Sequence, residues 1–350
     1  MRVAFYSMMK NESCLSVPFS EMLREFGDYV YVLDHGSTDN TADIIKTNIP
    51  EANVFRLRSR RYPQSEMSNW FARKIFDETD ADFIFYLDAD EFLPFSTKAE
   101  MLDFLSTTEG YDAISFPWNN IAPIGKSFDD GFYSMGNSKN YRKIALSRNI
   151  VFTPDYNIWQ GNHNVTSRTR KIAICSQKVK PLFHLPVPTY SKLMLKVLQG
   201  IDSLRNDKVN RALGNGYHWF DLANKLLAGD LTDIEIRNIV HSYSGSIPEF
   251  EDENLELFNF PYIKTRAIPE ISVVEILRWL MSGYNSNISE KAIIKRDDIV
   301  VEDDAGHVLL KKNKRHLSDI AKITKQKIKS NISIKKGEII KNLFRCLWSD

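Results

Sequence analysis

Along the N-terminal part of the chain, short apolar runs alternate with stretches of helical spacing. Val3–Tyr6, Tyr29–Leu33, Val54–Leu57 and Phe83–Leu87 predict strands. The second and fourth lack polar alternation, as expected of strands covered by helices on both faces. Between them, Leu15–Phe26 puts Phe19, Met22, Leu23 and Phe26 on one helical face, with Pro18 in the first turn and Gly27 at the end. A second helix begins near Thr41 and carries Ile44 and Ile45; a third, Ser68–Phe76, carries Trp70, Ile75 and Phe76. This β-α-β-α-β-α-β order predicts an α/β fold: a Rossmann-like, mostly parallel sheet with right-handed crossovers, flanked by helices.

Further on, the spacing predicts a helix over Lys98–Leu105 and strands over Ala113–Phe116, Lys143–Leu146 and Ile172–Ile174. Pro117–Gly136 is rich in Gly, Pro, Asn and Asp and is expected to be a long loop. From Tyr190 the pattern turns helical, with Tyr190, Leu193, Met194, Val197, Leu198, Ile201 and Leu204 in one stripe that reads as core packing. Trp219–Leu227 and Val273–Met281 predict two more helices, separated by an acidic segment around Pro248–Asn259. Beyond Lys311 lysines dominate, and Ile339, Ile340, Leu343, Phe344, Leu347 and Trp348 fall on one helical face. The expected organisation is a sheet domain over 1–188, a helical region over 189–300 and a basic amphipathic tail over 301–350. Such a tail suits an anionic membrane surface or the protein's own core.

Composition narrows the class. The 350 residues carry a net charge of +1, which identifies no partner, and no nucleic acid is expected. Cys14, Cys175 and Cys346 are odd in number and lack CxxC spacing, which argues against a disulfide framework or a zinc site. No apolar run reaches the roughly 18 residues of a membrane span, and the chain enters a strand at once; a cytoplasmic protein is expected.

The strongest chemical signal is Tyr86-Leu87-Asp88-Ala89-Asp90-Glu91-Phe92, where a buried strand ends in packed carboxylates. Carboxylates this close repel unless a cation neutralises them. Ligands of open α/β sheets bind past the carboxyl ends of the strands. Asp88 and Asp90 are therefore read as holding a hard divalent cation and the phosphates it bridges. Asp34-His35-Gly36-Ser37-Thr38-Asp39-Asn40-Thr41 is either a well-capped strand-turn-helix connection or a turn whose Asp34 binds a nucleotide base or ribose. Arg58–Gln64 is a basic loop, solvated or phosphate-binding.

Together these residues resemble a glycosyltransferase of the GT-A fold, family 2 type. The resemblance covers roughly residues 1 to 200. It rests on Lys10-Asn11-Glu12; on the Asp34–Thr41 turn, similar to D-x-G-S-T-D-x-T; on Asn69; on Asp88-Ala89-Asp90-Glu91-Phe92, a D-x-D-E-F variant; and on Gly161-Asn162-His163 with His184-Leu185-Pro186. His35 departs from the pattern, replacing an acidic residue. The resemblance implies inverting transfer of a sugar from a nucleotide diphosphate, UDP by analogy, to a hydroxyl of a saccharide or lipid-linked acceptor. Surface polysaccharide or lipopolysaccharide synthesis is the expected setting. It further implies Mn²⁺ or Mg²⁺ held by Asp88, Asp90 and a later histidine, His163 or His184, of which His163 is the first choice. Asp34, Asn69, Asp88 and Ala89 are expected to line the nucleotide sugar. Asp155 and Glu91 are candidates for the general base, with Asp129 and Asp130 as rivals; Glu91 alternatively orients the metal ligands. Two other classes remain open: a D-x-D phosphatase, disfavoured by Phe92 and by the late position of the strand, and a non-catalytic saccharide-binding protein on the same scaffold.

Overall fold

The computed structural model describes residues 1–59, 62–123, 132–206, 222, 239, 256–258 and 299–312. The chain divides into two units, Met1–Lys311 and Lys312–Asp350. The elements of the first half run β1 (Val3–Met9), α1 (Ser13–Phe26), β2 (Tyr29–Asp34), α2 (Thr41–Asn48), β3 (Asn53–Arg58), α3 (Gln64–Glu78), β4 (Phe83–Tyr86), β5 (Glu91–Phe92) and α4 (Lys98–Ser106). Then follow β6 (Ala113–Pro123), β7 (Phe132–Ser147), β8 (Asn157–Ile158), β9 (Val165–Thr166), β10 (Ile174–Cys175), β11 (Leu182–His184) and α5 (Tyr190–Asn206). β12 (Glu256–Phe258), β13 (Ile299–Glu302) and β14 (Val308–Lys312) complete the set.

Ten strands lie side by side in the order β14-β13-β3-β2-β1-β4-β7-β6-β11-β5, with β10 also on β6 and β12 on β7. β3-β2-β1-β4 is parallel throughout, as the alternating pattern predicts. Residues alternating along β1 explain why the runs show no polar face. Val3, Phe5 and Met9 pack with α1 through Leu15, Phe19 and Leu23. Ala4, Tyr6 and Met8 pack on the other face with α3 through Met67, Phe71 and Ile75. Each fully buried side chain of this size contributes about 1.5–3 kcal/mol, so two covered faces hold the sheet firmly.

Several sequence expectations change in the structure. α1 starts at Ser13, because the Glu12 carbonyl accepts from the Leu15 and Ser16 N–H groups, so Pro18 lies inside the helix and not in its first turn. α3 starts at Gln64, directly after Pro63. The expected loop over Pro117–Gly136 is largely a β-hairpin: β6 and β7 pair antiparallel from Ala113–Leu146 out to Pro123–Phe132. The irregular composition is absorbed by register shifts around Asn119, a device that lets bulged strands tolerate turn-forming residues. The strand expected at Ile172–Ile174 is the two-residue β10. β13 lies antiparallel on β3, so residues far from the N-terminal domain extend the same sheet, and the hydrophobic pattern did not reveal them. The helix expected at Val273–Met281, that at Trp219–Leu227 except for Leu222, Asp129 and Asp130, and the tail beyond Lys312 lie outside the described residues.

Candidate active site at the carboxyl edge of the sheet

β1, β2 and β4 end on the same edge, with Met9 opposite Asp34 and Tyr6 opposite Tyr86. Their turns are stitched to one another. Asn11 takes a left-handed backbone (φ 54°). Its N–H donates to Ser37 Oγ at 2.9 Å, while Thr38 N–H donates to Asn11 Oδ1 at 2.8 Å. Glu12 N–H donates to Thr41 Oγ1 at 2.7 Å and Ser13 N–H to Asp39 Oδ2 at 3.1 Å. Asp34 accepts the Ser37 N–H with both oxygens, at 3.1 and 3.2 Å, and burial pushes its carboxyl upward. His35 points its Nε2 at the Ser59 carbonyl, 3.0 Å away; a carbonyl only accepts, so Nε2 carries the proton.

The turn after β4 is crowded with buried charge of both signs. Asp88 accepts from Gln64 Nε2 at 3.2 Å and from the Lys143 ammonium at 2.6 Å. Glu91 is wholly buried; it accepts the Asp88 N–H at 2.9 Å and faces Lys143 at 3.4 Å. Burial pushes the Glu91 carboxyl well up, against the pull of Lys143. Burial also depresses Lys143, but Asp88 and Glu91 outweigh it and the ammonium is favoured. Asp90 is paired with Lys196 of α5, whose ammonium also donates to the Pro186 carbonyl at 2.9 Å. Burial raises Asp90, but the attraction of the Lys196 ammonium prevails and holds it below the usual carboxylate range. One turn earlier on α5, the buried Lys192 reaches Glu12 Oε2 and the Asn11 carbonyl, each at 2.6 Å.

The two predicted histidines are placed differently. His163 Nδ1 donates to the Arg142 carbonyl at 2.7 Å, and burial followed by the Lys143 charge lowers its basicity. Gly161 (φ +81°) is required here, since a Cβ would lie 2.3 Å from His163 Nε2. His184 is stacked on Trp118, with centroids 4.1 Å apart, and its Nδ1 faces Asn120 Oδ1 at 2.7 Å. With the proton on Nδ1, the Nε2 lone pair faces Asp90 Oδ2 at 3.9 Å. Burial pushes this imidazole down to about 3 despite Asp90. Asp90, Glu91 and His184 offer ligand atoms within 4.8 Å of one another, and this is the group of that kind among the described residues. His163 and Asp88 are not in it.

Three predicted site residues have mainly structural partners. Asn69 exchanges hydrogen bonds with Ile158, its Oδ1 accepting at 2.9 Å and its Nδ2 donating at 3.1 Å, and thereby docks β8 on α3. Asp155 accepts from Ser167 Oγ, Thr169 Oγ1 and Arg168 N–H, each at 2.7 Å, and so anchors a turn. Ala89 is buried in the turn. Sequence reasoning missed Lys143, Lys192, Lys196, Trp118 and Asn120. The two α5 lysines, four residues apart, were a readable signal: they share a face, and no acidic residue lies three or four positions from either.

The glycosyl transferase family 2 model matches residues 24–153. A search of curated proteins returns no match. Among solved structures, a mycobacterial protein is similar at 14% identity, over 53% of this chain and 68% of that one, with a TM-score of 0.31. Glucosyl-3-phosphoglycerate synthase from Mycobacterium tuberculosis, in complex with Mg²⁺ and uridine diphosphate, is similar at 15% identity over 57% and 75% of the two chains, TM-score 0.30. The same enzyme with Mn²⁺, UDP-glucose and phosphoglyceric acid gives 15% identity over 58% and 79%, TM-score 0.29. The family match thus spans β2 to β7 and takes in the acidic turn at the carboxyl edge of the β3-β2-β1-β4 sheet; over residues 24–153 the chain is similar to family 2 glycosyl transferases.

Proposed function

We propose that the chain transfers a sugar, with inversion, from a nucleotide diphosphate donor to a hydroxyl of a saccharide or lipid-linked acceptor, using Mn²⁺ or Mg²⁺. The observation that carries this reading is the facing pair of acceptors at the acidic turn: the His184 lone pair and Asp90 Oδ2, 3.9 Å apart, with Glu91 beside them. Two acceptors so placed can share a divalent cation in exchange for the Lys196 ammonium. Glu91 Oε1 is a buried oxygen without a hydrogen-bond partner, which also fits a cation. Two hard oxygens and an imidazole suit Mn²⁺ particularly. When bound, such a cation neutralises the charge that develops on the departing diphosphate.

The chain's own residues supply the rest. Lys143 keeps Asp88 and Glu91 oriented, and Asn120 fixes the His184 tautomer so that its lone pair faces the site. The Asn11 and Asp34 turns form the neighbouring wall, where a nucleoside is expected to lie. We assign the donor as a UDP-sugar and the pathway as surface polysaccharide or lipopolysaccharide synthesis. Among the described residues no helix is long and apolar enough to cross a membrane. The basic segment 311–350 is the proposed contact with an anionic leaflet; equal vesicle binding after deletion from Asn313 would sink that part.

Calorimetric titration of UDP with and without Mn²⁺, on the wild type and on Asp90→Ala, tests the main reading. Metal-dependent binding that disappears in the variant supports it. UDP binding that ignores both the metal and the substitution overturns it.

A further inference from the structure

We propose that Lys196 is a tethered cation that occupies Asp90 until a divalent metal takes its place, and that its ammonium then pairs with the donor's diphosphate. This rests on the metal-dependent nucleotide-sugar reading given above.

The Lys196 ammonium contacts Asp90 Oδ2, the same oxygen that faces the His184 lone pair. An ammonium and a divalent cation compete for one carboxylate oxygen, because the two positive charges repel at that range. Metal entry at Asp90 therefore displaces Lys196. The two α5 lysines are not equivalent in this respect. Each is held by a carboxylate and a backbone carbonyl, Glu12 and Asn11 for Lys192 and Asp90 and Pro186 for Lys196, but Lys192 is fully buried. Lys196 retains 18% of its side-chain exposure and is held at the helix side of the site, where a long flexible stem can swing.

Charge balance indicates where it goes. Lys143, Lys192 and Lys196 face four carboxylates: Glu12, Asp88, Asp90 and Glu91. A divalent cation entering alone moves this nearly balanced cluster toward an excess of positive charge. The diphosphate of a donor restores the balance, and the freed ammonium is the group available to pair with it. Lys196 thus opposes metal binding in the empty site and favours the nucleotide in the filled one.

The test measures two affinities on the full chain. Binding of Mn²⁺ alone is read from loss of the free-ion paramagnetic resonance signal. UDP binding at saturating Mn²⁺ is read by calorimetry. Lys196→Met is expected to bind Mn²⁺ about tenfold tighter and UDP about tenfold weaker, the scale of one charge-assisted hydrogen bond. Lys196→Arg keeps the charge and is expected to stay near the wild type in both. A merely structural lysine would lower both affinities together in the Met variant; that result, or movement of one affinity alone or of neither, overturns the proposal. Absence of Mn²⁺-dependent UDP binding in the wild type overturns the underlying site reading as well, whereas normal wild-type binding with an unshifted Met variant overturns this proposal alone.

Discussion

The Lys143 ammonium lies 2.6 Å from the Asp88 carboxylate, across 55 residues of chain, and it is almost wholly buried there. It also faces the fully buried Glu91. Removing one partner of a buried ion pair leaves an uncompensated charge, which typically costs about 3–5 kcal/mol. Lys143→Met is expected to lose about 3 kcal/mol of unfolding free energy in urea. Adding Glu91→Gln removes the more deeply buried of the two stranded carboxylates and is expected to recover part of that loss. A single variant within about 1 kcal/mol of the wild type would show that the pair does not hold the turn.

Gly161 supports His163 through its backbone. At φ +81° an alanine adopts a left-handed conformation that costs about 1–2 kcal/mol, and its Cβ would collide with the imidazole. Gly161→Ala is expected to destabilise by about that amount. It is also expected to shift the His163 ring resonances, because the ring must leave the Arg142 carbonyl. Unchanged His163 resonances would contradict this account.

Asn69 acts as a pseudo-strand partner for Ile158. Asn69→Ala leaves the Ile158 N–H and carbonyl without that partner, at a cost of about 1–3 kcal/mol. The expected signature is faster amide exchange at Ile158 together with a lower urea midpoint. A variant whose only defect is weaker UDP binding would support the nucleotide role expected from the sequence.

Asp155 gives a pH signature. Hydrogen bonds from Thr169 and Ser167 hold its carboxyl down to about 2, against an unfolded value of about 3.9. Between these values the unfolded chain binds more protons than the folded one. The stability this group contributes is therefore fully present above about pH 4 and is lost as the pH falls toward 2. Asp155→Asn is expected to be less stable near neutrality and to show a flatter acid limb in that window. Parallel acid limbs for the two proteins would show that the turn does not depend on the charge.

What could be read from the chain follows from what local spacing reports. Apolar runs such as Phe83–Leu87 report burial on both faces of a strand, and four of them separated by helical stripes determined the parallel β3-β2-β1-β4 core. The Asp88-Ala89-Asp90 turn was legible because carboxylates in sequence are carboxylates in space. The β6–β7 hairpin was not, since Pro117 and its polar neighbours look like a loop until a partner strand accommodates their bulges. Nor was the choice of histidine: His163 and His184 both follow the acidic turn in the chain, and only packing sets one against Asp90.

The sequence by itself determined the parallel core of the sheet, its carboxyl edge and the cluster of negative charge there. Tertiary structure alone decided what neutralises that cluster, bringing Lys143 from β7 and Lys196 from α5 onto Asp88 and Asp90. The reason is physical. Hydrophobic periodicity is a property of neighbouring residues, whereas a buried charge finds its partner wherever the fold carries it, and for Asp90 that partner lies 106 residues away.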